Sequence, residues 1–336
     1  MPWSTGMPGM SRWLARVSSS QGLGCAWGPN AGRASSLSGS SYAHLAANVY
    51  ISEGRDTGVI SQLSDAVQTL SPGVRLGHVF VDDAYNRTGL TLVSSSVDRL
   101  VRGAMAVSTL ALDLIDLRRH EATHPRLGVV DHVSCHPLVR DDATMLAARM
   151  ARDAIGKALG ERGVPTYLYG FGVEADLASV RRRFGYFRAN TSGGEWRGSG
   201  AEWVKVLQET PPDYGPRLLR DEWGIACVGC LPWVVNHNVV LNTSDLGLAK
   251  ELAKRVSERG GGLANVQAMG LAYEDGKVEV ACNLLDAAVS GPEDVNEYLS
   301  RVLDDARGNV PAGSCVRIVR SYQTGKSVEE LCSLIS

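Results

Sequence analysis

The sequence contains no apolar run long enough to cross a bilayer, because its longest runs are only as long as a strand. It also lacks an excess of charge of either sign, with a net charge of −2 at pH 7. A basic surface for nucleic acid or for an anionic membrane is therefore not expected. Hydrophobic residues make up 44% and charged residues 21% of the 336 positions, which is typical of a soluble globular protein with a substantial core.

The chain has no cysteine pattern that would indicate a disulfide scaffold or a zinc ribbon. Its seven cysteines are an odd number spread over the whole length, which favours a reducing compartment. Cys227 and Cys230 form a lone C-x-x-C without a second such pair, and IACVG (225–229) has the composition of a buried strand. We interpret both cysteines as core residues rather than redox or metal-binding residues.

Residues 1–52 contain no Asp or Glu, three Arg and many Ser, Gly and Ala. An acid-poor segment rich in Arg and Ser is typical of an organellar transit peptide. We therefore expect residues 1–43 to direct the protein to a mitochondrion or chloroplast. The alternative is a disordered N-terminal extension of a cytoplasmic protein.

The spacing of apolar residues predicts the same order of elements twice, β-α-β-β-α-β. In the first unit the predicted strands are 45–52, 74–82, 88–95 and 127–138, and the predicted helices are 56–71 and 96–116. A helix over 141–163 and a strand over 166–171 follow. In the second unit the predicted elements are the extended stretch 225–241, a helix over 245–259, a hairpin over 266–286, a helix over 292–307 and a strand over 315–321.

Residues 172–224 lose clear periodicity and contain SGG, GSG and PP, which indicates a connecting region. The expected domains are therefore 44–172, a connection over 173–224, and 225–325. The predicted fold class is α/β (α+β), with two βαββαβ sandwich subdomains. A cleft between two such subdomains is a usual place for a ligand.

The string HEATH (120–124) matches the H-E-x-x-H pattern of zinc peptidases. That chemistry requires both histidines on one face of an intact helix, with Glu121 as the base. Pro125 disfavours the helical conformation at His124, which argues against a zinc peptidase. We expect His124 at the start of the strand that begins at Leu127, where a histidine can accept and return a proton. The alternative is a histidine that only packs at a helix–strand corner.

Five segments resemble, in order, the N-terminal subdomain of the formimidoyltransferase (formiminotransferase) family. They are ISEGRD (51–56), YNRTGLTLV (85–93), LIDLRRH (114–120), HPRLGVVD (124–131) and VPTYLYG (164–170). VQAMG (266–270) and ACNLLD (281–286) are similar to the C-terminal subdomain, so the resemblance covers roughly residues 46–290. RRFGYFRAN (182–190) and PWVVNHNV (232–239) resemble a plant and algal branch.

The resemblance implies a homodimeric folate-dependent transferase of one-carbon metabolism and histidine degradation. Such an enzyme moves a formimidoyl or formyl group between the N5 of tetrahydrofolate, its co-substrate, and the amine of glutamate, and it needs no metal. His124 falls on the catalytic histidine of the family. The implied substrate-binding residues are Asp82, Asn86, Arg87 and Arg126, with Asp83 as the alternative to Asp82 beside His124. The implied folate-binding residues are Tyr214, Gly215, Pro216, Trp223 and Gly224.

The chain departs from the enzyme pattern in two places. Residues 217–222 do not match the folate-contacting stretch around them. After VGC (228–230), the segment LPWVVNHNV (231–239) replaces a longer stretch that contains an arginine in the enzyme, so one carboxylate contact is in question. The alternative function is therefore a non-catalytic folate-binding or scaffold paralogue.

Overall fold

The computed structural model describes residues 43–122, 124–187, 196–197, 201–306 and 316–335. Apart from Ala43, the segment interpreted as a transit peptide or extension lies outside the described residues. No helix within the described ranges is both long enough and apolar enough to cross a membrane.

The first predicted unit is present, and its helices begin where polar side chains cap them. The Asp56 carboxylate accepts from the backbone N–H groups of Gly58 and Val59, and the Ser96 hydroxyl accepts from that of Arg99. The elements of this unit are β1 Leu45–Ile51, α1 Thr57–Leu70, β2 Arg75–Asp82, β3 Arg87–Ser94, α2 Val97–Leu114, β4 Glu121–Ala122 and β5 Val130–Pro137.

An extension follows that completes the first sheet. Its elements are α3 Asp142–Glu161, β6 Thr166–Gly170, α4 Leu177–Arg183, β7 Trp196–Arg197, α5 Ala201–Glu209 and β8 Ala226–Cys230. The resulting six-stranded sheet has the order β2-β3-β1-β5-β8-β6, in which β8 runs parallel to both β5 and β6. The short strands β4 and β7 pair with each other.

The apolar stretch 225–241, expected as the first strand of the second unit, forms two strands in different sheets. Every residue of β8 is buried, as is required of a strand that lies between two parallel neighbours. Pro232 has no N–H to donate, and the strand ends just before it. The chain therefore passes from the first sheet to the second after Cys230, not before Ile225 as expected.

The second unit repeats the topology of the first. Its elements are β9 Val235–Leu241, α6 Leu246–Val256, β10 Val266–Ala272, β11 Val278–Leu284, α7 Pro292–Ala306 and β12 Ile318–Gln323. The order β10-β11-β9-β12 matches β2-β3-β1-β5 of the first sheet. The predicted α+β fold of two βαββαβ subdomains is thus confirmed. A last helix, α8 Val328–Ser333, returns to the first subdomain, where Leu331 packs with Ala46, Val93 and Leu138.

A narrow cleft with a largely polar lining separates the two sheets. Asn48, Tyr50 and Thr91 line it from the first sheet, and Asn236 lines it from the second. The Tyr50 hydroxyl donates to the Asn236 side chain across the cleft, at 3.4 Å. Trp233, in the segment that joins β8 to β9, also lines the cleft.

Gly128 lies where two chain segments approach too closely for a side chain. It bridges to Gly224, and a Cβ atom at Gly128 would overlap the carbonyl oxygen of Ile225.

We expect Gly128→Ala to lower the free energy of unfolding by about 1–3 kcal/mol, because backbone rather than a flexible side chain must move. Gly325→Ala is the matched control, since no atom lies within 4 Å of the added methyl group, and its effect should stay within about 0.5 kcal/mol. Chemical denaturation of both variants measures the difference; equal stabilities would contradict the close approach.

Candidate active site

A β-bulge at the start of β5 positions an acidic side chain. Tyr50 pairs with His132 and Ile51 pairs with Val130, so Asp131 is an extra residue without a partner on β1. A bulge re-aims the side chain it carries. Here the Asp131 carboxylate lies 3.7 Å from the His132 ring, and its other oxygen accepts from the backbone N–H of Leu127 at 2.7 Å.

Two arginines meet at the Asp131 carboxylate. The Oδ2 atom of Asp131 lies 3.2 Å from a terminal nitrogen of Arg87 and 3.0 Å from one of Arg181. Burial opposes ionisation of Asp131, but Arg181 and Arg87 hold the pKa of this carboxyl well below its usual range. The same two guanidinium groups lie 3.2 Å from Nδ1 of His132, and burial lowers the pKa of His132 to about 3. His132 is therefore neutral.

His124 lies beside Arg87 with one ring nitrogen available as a base. Its Nδ1 is 2.6 Å from the carbonyl oxygen of Pro125, which can only accept, so Nδ1 carries the proton. A terminal nitrogen of Arg87 lies beside the ring, 3.1 Å from Nδ1 and 3.2 Å from Nε2. Burial and then the Arg87 charge lower the pKa of His124 well below 6.5. His124 is thus a neutral imidazole whose basic atom is Nε2.

Two tyrosines enclose the His124 ring. The centroid of Tyr85 lies 5.2 Å and that of Tyr186 lies 6.2 Å from the imidazole centroid. The Tyr85 hydroxyl donates to Oε1 of Glu279 on β11, at 2.7 Å. The second subdomain is thereby connected to the neighbourhood of His124 through a single side chain.

Asp82 and Asn86 shape the β2–β3 turn that carries Arg87. The Asp82 carboxylate accepts from the backbone N–H of Tyr85 at 2.8 Å. Asn86 has a left-handed φ of 46°, and its side chain accepts from the Gly54 N–H at 2.8 Å and donates to the Glu121 carbonyl at 3.1 Å. Asp83 is exposed and pairs with Arg55. The carboxylate that lies next to Arg87 in the site is Asp131.

Arg126 is buried and directed toward the segment that precedes His124. It donates to Nδ1 of His120 at 3.0 Å and to the Leu117 carbonyl at 3.3 Å. The other ring nitrogen of His120 lies 2.9 Å from the Asn86 carbonyl. Helix α2 ends at Leu114 and Glu121 begins a strand, so His120 and His124 do not lie on the intact helix that the H-E-x-x-H pattern requires.

The stretch predicted to contact folate lies near the ends of α2 and α3. Tyr214 pairs through its backbone with Thr166, Gly215 has φ 90° beside Val164, and Pro216 is half-buried. The Trp223 indole donates to the Leu112 carbonyl at 2.9 Å, and Gly224 bridges to Gly128. Gly224 thus adjoins the segment leading into β5, while Tyr214 packs against Gly156 and Gly160 of α3.

The family follows from comparison with known proteins. The model of the formiminotransferase domain, N-terminal subdomain, matches residues 44–231. A formiminotransferase cyclodeaminase-like protein of Arabidopsis thaliana is 40% identical over 263 residues, which are 76% of this chain and 86% of that protein. The chain belongs to the formiminotransferase family. The matched region ends just after β8, in agreement with the position of that strand in the first sheet.

Two further relatives belong to the same family. The glutamate formimidoyltransferase of Thermoplasma acidophilum is 30% identical over 69% of this chain and 74% of its own length. The formimidoyltransferase-cyclodeaminase of Sus scrofa is 34% identical over 74% of this chain but only 45% of its own length. Pitrilysin, a solved structure, overlaps 80% of this chain and 34% of its own, with 12% identity and a TM-score of 0.19, too low to indicate a shared fold.

The sequence predicts only some of the residues around Asp131. Its motifs identify Arg87 and His124 as candidates, and the structure brings them together. Asp131 lies within the family motif 124–131, but nothing distinguished it from neighbouring acids. Arg181 is one of three consecutive arginines, and Glu279 is a single acid in an apolar strand, so neither had a signal in the sequence.

Glu279 is a fully buried carboxyl group with three hydrogen-bond donors. Tyr85 and Asn238 donate to one oxygen, each at 2.7 Å, and Tyr322 donates to the other at 2.8 Å. Burial raises its pKa to about 7 from 4.5, even though these bonds favour the ionised form. Asp82 raises this pKa further and Arg320 lowers it.

We expect this carboxyl group to make stability depend on pH. Because the folded-state pKa lies above the unfolded value, the contribution of Glu279 is complete below about pH 4.5 and is lost as the pH rises through about 7. Glu279→Gln should therefore gain stability relative to wild type over this range, on the order of 3 kcal/mol. Denaturant titrations at several pH values measure the difference. The exposed Glu251→Gln is the matched control and should run parallel to wild type; a parallel Glu279→Gln profile would contradict the raised pKa.

Proposed function

We propose that this formiminotransferase homologue moves a formimidoyl or formyl group between the N5 of tetrahydrofolate and the amine of glutamate. In this proposal His124 is the general acid and base. Family membership supports the reaction class, and the neutral His124 with its basic Nε2 atom carries the assignment of the residue. Relatives named glutamate formimidoyltransferase support the choice of acceptor.

The neutral imidazole determines the order of proton transfers. As the glutamate amine forms a bond to the one-carbon unit, it must lose a proton, and Nε2 of His124 accepts it. As the bond between that carbon and N5 breaks, the N5 nitrogen must gain a proton, which the imidazolium returns. No proton is consumed overall, and one positioned histidine is worth roughly 10²–10⁴ in rate.

Arg87 has to change its partner during this reaction. In the structure a terminal nitrogen of Arg87 lies 3.2 Å from Nε2 of His124, the atom that must accept the proton. A substrate carboxylate attracts a guanidinium more strongly than a neutral imidazole does, because both partners are charged. Binding of the amino acid therefore frees Nε2, and Asp131 keeps Arg87 close to it.

Membership of the formiminotransferase family supports a tetrahydrofolate derivative as the co-substrate. The cleft between the two sheets is lined by Tyr50, Trp233, Asn48 and Asn236, but it has room for little more than a water molecule, so a pterin could enter only if the cleft widened. Tyr50 also stacks on His132, with centroids 4.4 Å apart, so the cleft reaches the arginine pair. The contribution of residues 214–216, Trp223 and Gly224 to folate binding stays a prediction.

Two further expectations belong to this proposal. A homodimer is expected from the family resemblance, and sedimentation of the purified protein tests it. Import into an organelle is expected from the composition of residues 1–52, and the location of a fluorescent fusion tests it.

His124→Ala should lower kcat by roughly 10²–10⁴, because the amine proton loses its acceptor. Turnover of 5-formimidoyltetrahydrofolate with glutamate measures this effect. His44→Gln, one residue before β1 and outside the site, is the control and should retain wild-type turnover. Equal activity of His124→Ala and wild type would refute the assignment. A wild-type protein that binds tetrahydrofolate tightly but transfers to no amino acid would instead identify the non-catalytic paralogue.

A further inference from the structure

The buried cluster around Asp131 carries one more positive charge than negative charge. Arg87 and Arg181 contribute two guanidinium groups, Asp131 contributes one carboxylate, and His124 and His132 are neutral. The Arg87 and Arg181 side chains are only 11% and 13% exposed, and that of Asp131 is 1% exposed. Buried charges in proteins are normally paired, so this cluster fits a ligand that brings one negative charge.

Unpaired hydrogen-bond donors lie in the same place. The Nε atoms of both arginines are buried and have no hydrogen-bond partner among the described residues. In each guanidinium one terminal nitrogen contacts Nδ1 of His132, while the Nε–H group is unsatisfied. A buried donor without a partner is costly, and a carboxylate accepts such donors well.

Arg181 is held in this position by its own helix and by an aromatic ring. Helix α4 begins at the Asp176 cap, which accepts from the Ser179 N–H at 2.6 Å. The Arg181 guanidinium lies 4.3 Å from the centroid of Tyr186. Arg182 and Arg183, the next two residues, are exposed. Of the three consecutive arginines, Arg181 is the one directed at Asp131.

We propose that Arg181 and Arg87 together form a subsite for a substrate carboxylate. Arg181 then supplies a guanidinium that the segment 231–239 does not. The subsite accepts a carboxylate either of the amino acid acceptor or of the glutamate tail of the folate. The choice between these two sources rests on the proposed function, whereas carboxylate binding itself does not.

If Arg181 has a purely structural role, its replacement should have a different effect on carboxylate binding. If Arg181 only neutralised Asp131, replacing it would lower stability and leave the affinity of the folded protein for carboxylates unchanged. If it binds substrate, its replacement raises a dissociation constant and a KM. Arg181→Lys keeps the positive charge but loses the planar pair of N–H donors. This variant therefore distinguishes the contribution of the charge from that of the donor geometry.

The test is calorimetric titration of the full chain with glutarate, a dicarboxylate without an amine that cannot react. We expect Arg181→Gln to weaken glutarate binding by roughly tenfold or more and Arg181→Lys to weaken it less. Arg182→Gln, one residue along the same helix, should bind as wild type does. Thermal unfolding of each variant confirms that the folded protein is being compared.

Steady-state kinetics identify the source of the carboxylate. A rise in KM for glutamate in Arg181→Gln assigns the subsite to the acceptor, and a rise in KM for the folate alone assigns it to the folate tail. The proposal is overturned if the wild-type protein does not bind glutarate. It is also overturned if a folded Arg181→Gln variant binds glutarate as tightly as the wild type does. Because glutarate binding needs no catalysis, an inactive wild-type protein would refute the proposed transfer and leave this test intact.

Discussion

The ion pairs of Asp131 with Arg87 and Arg181 are the interaction on which the site depends. A carboxylate buried this deeply is stable only if cations and N–H groups compensate the lost hydration. The β-bulge in β5 directs Asp131 toward the guanidinium groups, and the Leu127 N–H satisfies its second oxygen. The Pro125 carbonyl fixes the proton of His124 on Nδ1, and Arg87, held by Asp131, lies beside the basic Nε2. The electrostatics of the site therefore follow from one extra residue in a strand.

The fold was largely predictable because its signals are local. Apolar spacing and capping residues such as Asp56 and Ser96 predict the elements of both units close to their observed ends. The sheet to which a strand belongs is not a local property. A fully apolar stretch such as β8 fits any buried strand, and its place between β5 and β6 depends on contacts distant in sequence. The short helix α5 was not predicted, because it lies in a segment rich in Gly and Pro, and α8 is only six residues long.

The site was predictable only where one residue restricts its neighbour. Pro125 removes His124 from a helix, and that steric effect is visible in the sequence alone. Arg126 belongs to the same motif, 124–131. Its side chain is directed at His120 and Leu117, and no rule of sequence spacing predicts these contacts. Arg181 lies 50 positions from Asp131, and only the packing of α4 on β6 and β8 distinguishes it from Arg182 and Arg183.

The late position of β8 in the chain has a consequence for how the first subdomain folds. Strands β5 and β6 are not adjacent in the sheet, since β8 lies between them. During synthesis β8, the strand that pairs with β6 in the sheet, emerges only with residues 226–230. Assembly of this edge of the sheet must therefore wait for the whole connecting region, including α4. Such long-range parallel pairing is slow, so we expect the arginine on α4 to reach Asp131 late in folding, when the last strand of its sheet is in place.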